Sequence, residues 1–492
     1  MTYKHHRIRD PLHNLIEFPA DDFDDAMWRV IQTRPFQRLR RIKQLGFSEL
    51  VYPGATHSRF AHSIGVFHTA RKLMEVVKRH LGSAYDHPTA EQALAAALVH
   101  DLGHGPYSHA FENVGKRLNL GMDKHETVSA RLIRDEEVSE ALKPRGSGFA
   151  SDVANIIADT TSRSIYAAVV SSQFDADRLD YMRRDRLMTG TYHGVIDFEW
   201  LLSNLKVGKV PQGADEEEAG DIDTFVLGPK ALHAAEAYLL GLYQLYATVY
   251  LHKATRGAEK LFTELLVKVV ELARNDSIQK TGLSQNHPLI RFAKEPNDLK
   301  CLLALDDSVI SGALSMMVDA KDPLITNFSM RLRNRKLFKC IDIRESLNQQ
   351  IGLAGPEDSE VCNHCTGVAK KVIAIRNEQQ RIDALAEACK EVEKRLIEWE
   401  EEDRHEIPQI LLDKPEPRSI YKRSEESKGP LEQIMMIPGG GNDKPVDVAS
   451  ISQVIKAVDP FQVFRVYFDR GDHKAKERID NILKEEAKRC RC

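Results

Sequence analysis

The chain has 492 residues, with 69 Lys+Arg against 73 Asp+Glu and a formal net charge of −4. At about 100–200 residues per domain, that length means two to four structural units and a large core. With 42% hydrophobic and 29% charged residues, a mainly disordered or collagen-like chain is excluded, and the balanced charge leaves no global basic footprint for nucleic acid or an anionic membrane.

The opening residues, Met1 to Arg7, are polar and lack the apolar core of a signal peptide. The apolar run over 93–99 is far too short to span a bilayer. A cytoplasmic protein without membrane association is expected. All seven cysteines lie at or beyond Cys301 and form no disulfide framework, so they read as reduced thiols. Twelve of the 19 histidines fall within the first 125 residues. Imidazole chemistry therefore belongs to the N-terminal quarter.

In chain order, helical periodicity dominates the first 200 residues. Ser58 can cap a helix through His62, Ile64, Phe67, Leu73 and Val77 to Leu81, with Gly82 as its stop. An Ala/Leu-rich helix runs over about 89–102 and ends at Gly103, and a third over 171–187 carries Asp175, Asp177, Asp180 and Asp185. Residues 204–228 read as a hairpin with an acidic tip, Asp215 to Glu218. Helices resume over 229–275, and 368–404 reads as one long charged helix. From residue 405 the pattern changes to short β-prone runs at 409–412, 433–437 and 462–468, separated by Pro and Gly.

A His-Asp pair alone says little, since about one is expected by chance among 19 histidines. Its context here is His100-Asp101-Leu102-Gly103-His104-Gly105-Pro106-Tyr107-Ser108-His109. Several ionisable groups closing an apolar helix would be costly to bury without a partner. A divalent cation supplies one, because neutral imidazoles and carboxylates are its usual ligands. His62, early in its helix, and Asp177 complete a set of two histidines and two aspartates, which leaves positions open for water and a phosphate oxygen. The Cys362-x-x-Cys365 spacing lacks a second nearby pair, which argues against structural zinc.

The series His62, His100-Asp101 and Asp177 resembles the four-ligand signature of the HD phosphohydrolase superfamily. The flanking segments resemble its dNTP triphosphohydrolase branch, the SAM-and-HD-domain enzyme type without a SAM domain. They are Asp10-Pro11-Leu12-His13, Phe36 to Gly46, Tyr52 to Ser63, the His100 to His109 block, Lys124-His125-Glu126, and Asp175 to Asp185. The match covers about residues 7–275. It implies a mainly α fold: an HD-domain helical core with a small hairpin, plus a smaller α+β C-terminal lobe. Residues 1–330 would be the catalytic region, with the metal core at about 50–200, and 331–492 the C-terminal region.

The resemblance implies metal-dependent water attack at the α-phosphate of a dNTP, giving deoxynucleoside and inorganic triphosphate. His62, His100, Asp101 and Asp177 would hold one divalent metal; Mn, Fe, Zn, Ni and Mg fit alike, and Mg would also accompany the nucleotide phosphates. His125 would donate a proton to the leaving sugar oxygen, with His104 and His109 on the phosphates. Arg59, Arg178 and Lys253 would be phosphate clamps; any lone arginine reads first as a solvated base, but Arg59 lies three residues from His62 on the same helical face. Gln44, Tyr181 and Asp185 would hold the sugar, with Leu45 and Tyr250 crowding its 2′ position. Asp175 and Asp180 read as capping or supporting carboxylates.

The family also implies a homo-oligomer, a dimer or tetramer, and an activating nucleotide near Gln37 and Arg40. Gln32 stands where nucleotide-activated relatives carry a guanine-reading Asp, and Asn14 replaces a family Gly. The alternative reading keeps the metal and acts on a phosphodiester, either single-stranded nucleic acid or a signalling nucleotide. A third is a non-catalytic nucleotide sensor, which the complete ligand set argues against.

Overall fold

The computed structural model describes residues 4–158, 164–211, 221–352, 378–403, 405–417, 419–421, 432–439 and 444–491. The acidic tip at Asp215 to Glu218 and the Cys362/Cys365 pair lie outside them. The fold is mainly α, as the periodicity implies.

The chain opens with an antiparallel hairpin, β1 (His6–Asp10) and β2 (Asn14–Phe18). Asn14 turns it with φ +64°, a conformation that Asn tolerates and that the family Gly would also adopt. Helix α1 (Asp22–Gln32) follows. Helix α2 (Arg59–Leu81) is the axis of the molecule, with fourteen buried residues. Ser58 accepts a hydrogen bond from the Ala61 amide, and Gly82 closes the helix at φ +53°. Phe60, Ile64 and Phe67 enter one apolar core, whereas Val66, Ala70, Leu73 and Val77 enter a second. The expected stripe is therefore a helix buried on most of its circumference.

Helix α3 (His87–Val99) ends two to three residues sooner than its composition suggests, and His100 is its C-cap. The next eight residues, Asp101 to Ser108, are all buried. Gly103 is required there, because a Cβ would lie 2.2 Å from the His125 carbonyl oxygen and 2.5 Å from the Ser129 amide. That close approach seats the His-Asp turn on the start of helix α4 (His125–Arg134). Helix α5 (Ala176–Thr189) begins later than periodicity alone implies, because Asp175 caps it by accepting from the Arg178 amide at 2.7 Å.

The hairpin of β3 (Leu205–Pro211) and β4 (Asp221–Leu227) forms as expected. Its sheet also takes Met435–Met436 and Val446–Asp447, so part of the C-terminal third packs against the N-terminal elements. Helix α6 (Leu232–Leu245) passes through a π turn, Tyr246–Tyr250, into helix α7 (Lys253–Arg274). The C-terminal lobe pairs Lys339–Asp342 and Ile410–Asp413 with the central Arg465–Phe468 strand under three helices, including Glu378–Glu402. Tyr467 donates to the Lys253 carbonyl at 2.9 Å and Arg465 to that of Leu251 at 2.5 Å, which fixes the start of α7.

Candidate metal and phosphate site

Helices α2, α3 and α5 bring the four expected ligands together. His62 Nε2 lies 2.9 Å from Asp177 Oδ1 and 3.8 Å from Asp101 Oδ2. His100 Nε2 lies 3.3 Å from Asp101 and 3.7 Å from Asp177, and the His62 and His100 rings meet edge to face at 5.4 Å. His100 Nδ1 bonds the Ala97 carbonyl at 2.9 Å, which places its proton there and leaves Nε2 as a lone-pair donor. That Nε2 is buried and makes no hydrogen bond. A buried orphan nitrogen beside two carboxylates fits a divalent cation, as do the ligating atoms of His62, His100 and Asp101, all within 4.8 Å of one another.

Supporting groups hold these ligands. His62 Nδ1 lies 2.9 Å from Asp180 Oδ2, so its proton is fixed on the side away from the ligand position. Burial pushes the His62 imidazole down, yet the bonds to Asp177 and Asp180 outweigh it and raise the group to about 10 without metal. Cation binding at this nitrogen therefore releases a proton. Burial opposes the charge on Asp101, but the adjacent Arg59 guanidinium holds it well below the usual carboxylate range. Arg59 Nη1 bonds Asp101 Oδ2 at 2.5 Å, and its Nε bonds Ser108 Oγ at 2.8 Å.

Asp101 also joins this centre to a second cluster. Its Oδ1 lies 3.3 Å from His104 Nε2. His104 stacks on His125 with ring centroids 3.8 Å apart, and His109 meets both rings edge-on. Glu112, which the sequence reading did not include, ties the cluster: its oxygens accept from His125 Nδ1 at 2.8 Å and His109 Nδ1 at 3.1 Å. Burial raises the Glu112 carboxyl, but the His109 and His125 hydrogen bonds keep it ionised, well below the usual range. Burial, then the Arg59 charge, drive His104 the other way, so it stays neutral. His109 is exposed. The loop is strained where it turns, with Tyr107 at φ +56° and Ser108 at +59°. Asp307 fixes it by accepting from the Tyr107 and Lys43 amides at 2.7 and 2.9 Å.

The expected sugar residues meet at the far end of α5. Asp185 accepts from Tyr250 Oη at 2.8 Å and from His57 Nε2 at 2.8 Å. Tyr250 closes the π turn, and π turns concentrate at functional sites. Tyr181 meets Tyr250 edge to face at 6.1 Å, and Leu45 packs on the same core. Gln44 donates its amide to the His57 carbonyl, while its side-chain Oε1 is buried without a partner. Arg178 pairs with Gln173 and Asp175, and Lys253 begins α7 exposed. Gln37 accepts from Arg40 Nε at 2.9 Å and donates to the Ile31 carbonyl, while Arg40 lies 3.5 Å over the Phe60 ring.

Three groups given no role from the sequence turn out to touch the site: His13 on Asp180, His57 on Asp185 and Glu112 on His125. Only the i,i+3 spacing of His109 and Glu112 offered a local signal.

Comparisons with known proteins agree with this geometry. The HD domain model matches residues 59–187, from the start of α2 to near the end of α5. The chain is 34% identical over 338 residues to uncharacterized protein YwfO of Bacillus subtilis, covering 68% of this chain and 71% of the relative. It is 30% identical over 355 residues to the deoxynucleoside triphosphate triphosphohydrolase SAMHD1 homolog of Dictyostelium discoideum, covering 68% of this chain and 60% of that one. The fold is shared with a phosphohydrolase from Bacteroides thetaiotaomicron at TM-score 0.66 and 23% identity, over 95% of this chain and 100% of the other. With the HD domain model matching from α2 to α5 and a relative 34% identical covered over more than two thirds of its length, the chain belongs to the HD-domain family of phosphohydrolases.

Proposed function

We propose that the protein hydrolyses deoxynucleoside triphosphates to deoxynucleoside and inorganic triphosphate, with one divalent cation held by His62, His100, Asp101 and Asp177. The observation that carries this reading is the sharing of Asp101 between the ligand set and the imidazole cluster of His104, His109 and His125. A bound cation supplies an acidified water and polarises a phosphoryl oxygen. The chain's own groups do the rest. Arg59 brings positive charge against the phosphates, where charge develops as the ester bond breaks. The His104 and His109 rings and the Lys253 and Arg178 side chains are further phosphate contacts. His125, its Nδ1 proton held by Glu112, presents Nε2 to protonate the departing sugar oxygen. The bond between the α-phosphorus and that oxygen breaks, and the water oxygen leaves on the triphosphate.

Asp185 and Gln44 receive the sugar hydroxyl on this reading, Tyr181 stacks beside it, and Leu45 and Tyr250 close the 2′ side. Homo-oligomer assembly, activation by a second nucleotide near Gln37 and Arg40, and a cytoplasmic location belong to the same proposal. Among the described residues, no helix is long and apolar enough to cross a membrane.

A product-resolved screen tests it: purified protein with Mn²⁺ or Mg²⁺, the four dNTPs, ribonucleotides and labelled single-stranded DNA, with and without a second nucleotide. Unphosphorylated deoxynucleoside and intact triphosphate are expected, and His100→Ala/Asp101→Ala protein should make neither. Release of orthophosphate or pyrophosphate alone overturns the reaction. Oligonucleotide degradation without dNTP turnover moves the assignment to a phosphodiester.

A further inference from the structure

We infer that His13, on the turn of the N-terminal hairpin, is a positioning residue for the metal centre, acting through Asp180 on His62. The inference rests on the metal-site reading above and not on the identity of the substrate.

Asp180 is fully buried, and each of its oxygens is claimed. Oδ2 accepts from His62 Nδ1 at 2.9 Å and from Arg184 Nε at 2.8 Å. Oδ1 accepts from His13 Nε2 at 2.6 Å and from Arg184 Nη2 at 3.1 Å. His13 is 167 residues away in sequence, and its side chain is only 2% exposed. Its position is itself fixed, because the Asp10 carboxylate accepts from the Leu12 and His13 amides at 2.9 Å and from Arg184 Nη1 at 2.8 Å. Asp10, His13, Arg184 and Asp180 thus form a closed buried ring whose Asp180 oxygen bonds the His62 imidazole.

Gly65 gives an independent sign that this ring was fitted closely to α2. A Cβ at Gly65 would sit 2.1 Å from Asp180 Oδ1 and 2.2 Å from Arg184 Nη2. The carboxylate therefore lies directly against the α2 backbone, one turn from His62, with no slack to be taken up by another rotamer.

The consequence follows from how imidazole ligands are oriented. A carboxylate on the distal ring nitrogen sets the tautomer and the ring plane, and losing such a partner costs about 10–100-fold in metal affinity. Arg184 alone leaves one lone pair of Asp180 Oδ1 unmatched in a buried site, so the carboxylate can swing away from His62. His13 prevents that swing. The hairpin is thereby a working part of the metal centre, although it lies outside the span that the HD domain model matches.

The test measures metal directly. Full-length wild type, His13→Ala, His13→Gln and the exposed control His80→Ala are stripped of metal. Mn²⁺ affinity is then read by calorimetry and metal content after reloading by elemental analysis, alongside thermal melts of the stripped forms. His13→Ala should bind Mn²⁺ about 10–100-fold more weakly. His13→Gln, whose amide can still donate to Asp180, should recover to within about threefold of wild type, and His80→Ala should match it. His13→Ala binding within twofold of wild type overturns the inference, and so does a folded His13→Gln protein that binds as weakly as the alanine variant. If His13→Ala fails to fold, the glutamine arm decides. Wild type that binds no metal refutes the metal-site reading instead. Absent dNTP turnover with normal metal binding refutes only the substrate.

Discussion

Replacing Gly65 by alanine sets two effects of opposite sign against each other. Gly65 sits inside α2, where Gly→Ala ordinarily stabilises a helix by about 1 kcal/mol. Here the new methyl would lie 2.1 Å from Asp180 Oδ1, 2.2 Å from Arg184 Nη2 and 2.8 Å from Asp180 Cγ. Both side chains are 0% exposed, so neither can move into solvent. Overpacking of this kind costs about 1–3 kcal/mol. Displacing Asp180 or Arg184 also breaks charge-assisted hydrogen bonds worth about 1.5–3 kcal/mol, to His62, His13 or Asp10. The expected net result is a loss of about 2–4 kcal/mol, with Mn²⁺ affinity falling as His62 loses its support. Urea unfolding of the metal-stripped variant, paired with Mn²⁺ titration, measures both. A Gly65→Ala protein more stable than wild type, with unchanged metal affinity, would refute the claim that the α2–α5 contact is closed around Asp180.

Three further outcomes follow from the same geometry. His68 is held down to about 4 by burial, then by the neighbouring His13 and Lys72 charges, while an unfolded histidine titrates near 6.5. The stability from keeping it neutral is full above pH 6.5 and is lost as pH falls toward 4, by about 2–3 kcal/mol; thermal melts of His68→Gln against pH should diverge from wild type across that window, and parallel curves would count against it. Glu112→Gln removes the negative charge and one of the two oxygens that accept from His125 and His109, and should lower kcat by about 10²-fold or more with metal content unchanged; a fall in KM-linked binding alone would contradict the proton role. Tyr250→Phe frees one oxygen of Asp185 and should raise ribonucleotide turnover relative to deoxynucleotide in paired kcat/KM measurements, whereas an unchanged ratio places Tyr250 outside sugar discrimination.

Much of the candidate site was legible in the sequence because its residues lie in local runs. Ser58 and Gly82 bounded α2, and the buried turn from His100 onward could be read from ionisable residues closing an apolar helix. Asp175 was legible as a capping carboxylate, because a short side chain before a helix bonds its own amides, whereas the Asp180 partners His62 and His13 come from distant elements. The helix starts were less legible. Periodicity could not tell that α5 begins only at Ala176, since Ser171 to Asp175 carry a single apolar residue, Phe174, and the start is set by the Asp175 cap.

By itself, the sequence determined which candidate residues to look for and which local elements present them: the His-Asp turn, the α2 cap, the aspartates along α5. The tertiary structure alone decided which groups complete them. His13 and Asp180 are 167 residues apart, His57 and Asp185 are 128 apart, and Tyr250 meets Asp185 from the end of a π turn that no periodicity announced. Hydrogen bonds between side chains depend on distances of a few tenths of an ångström. Those distances are set by how helices pack, here by Gly65 and Gly103 admitting a neighbour where any Cβ would collide.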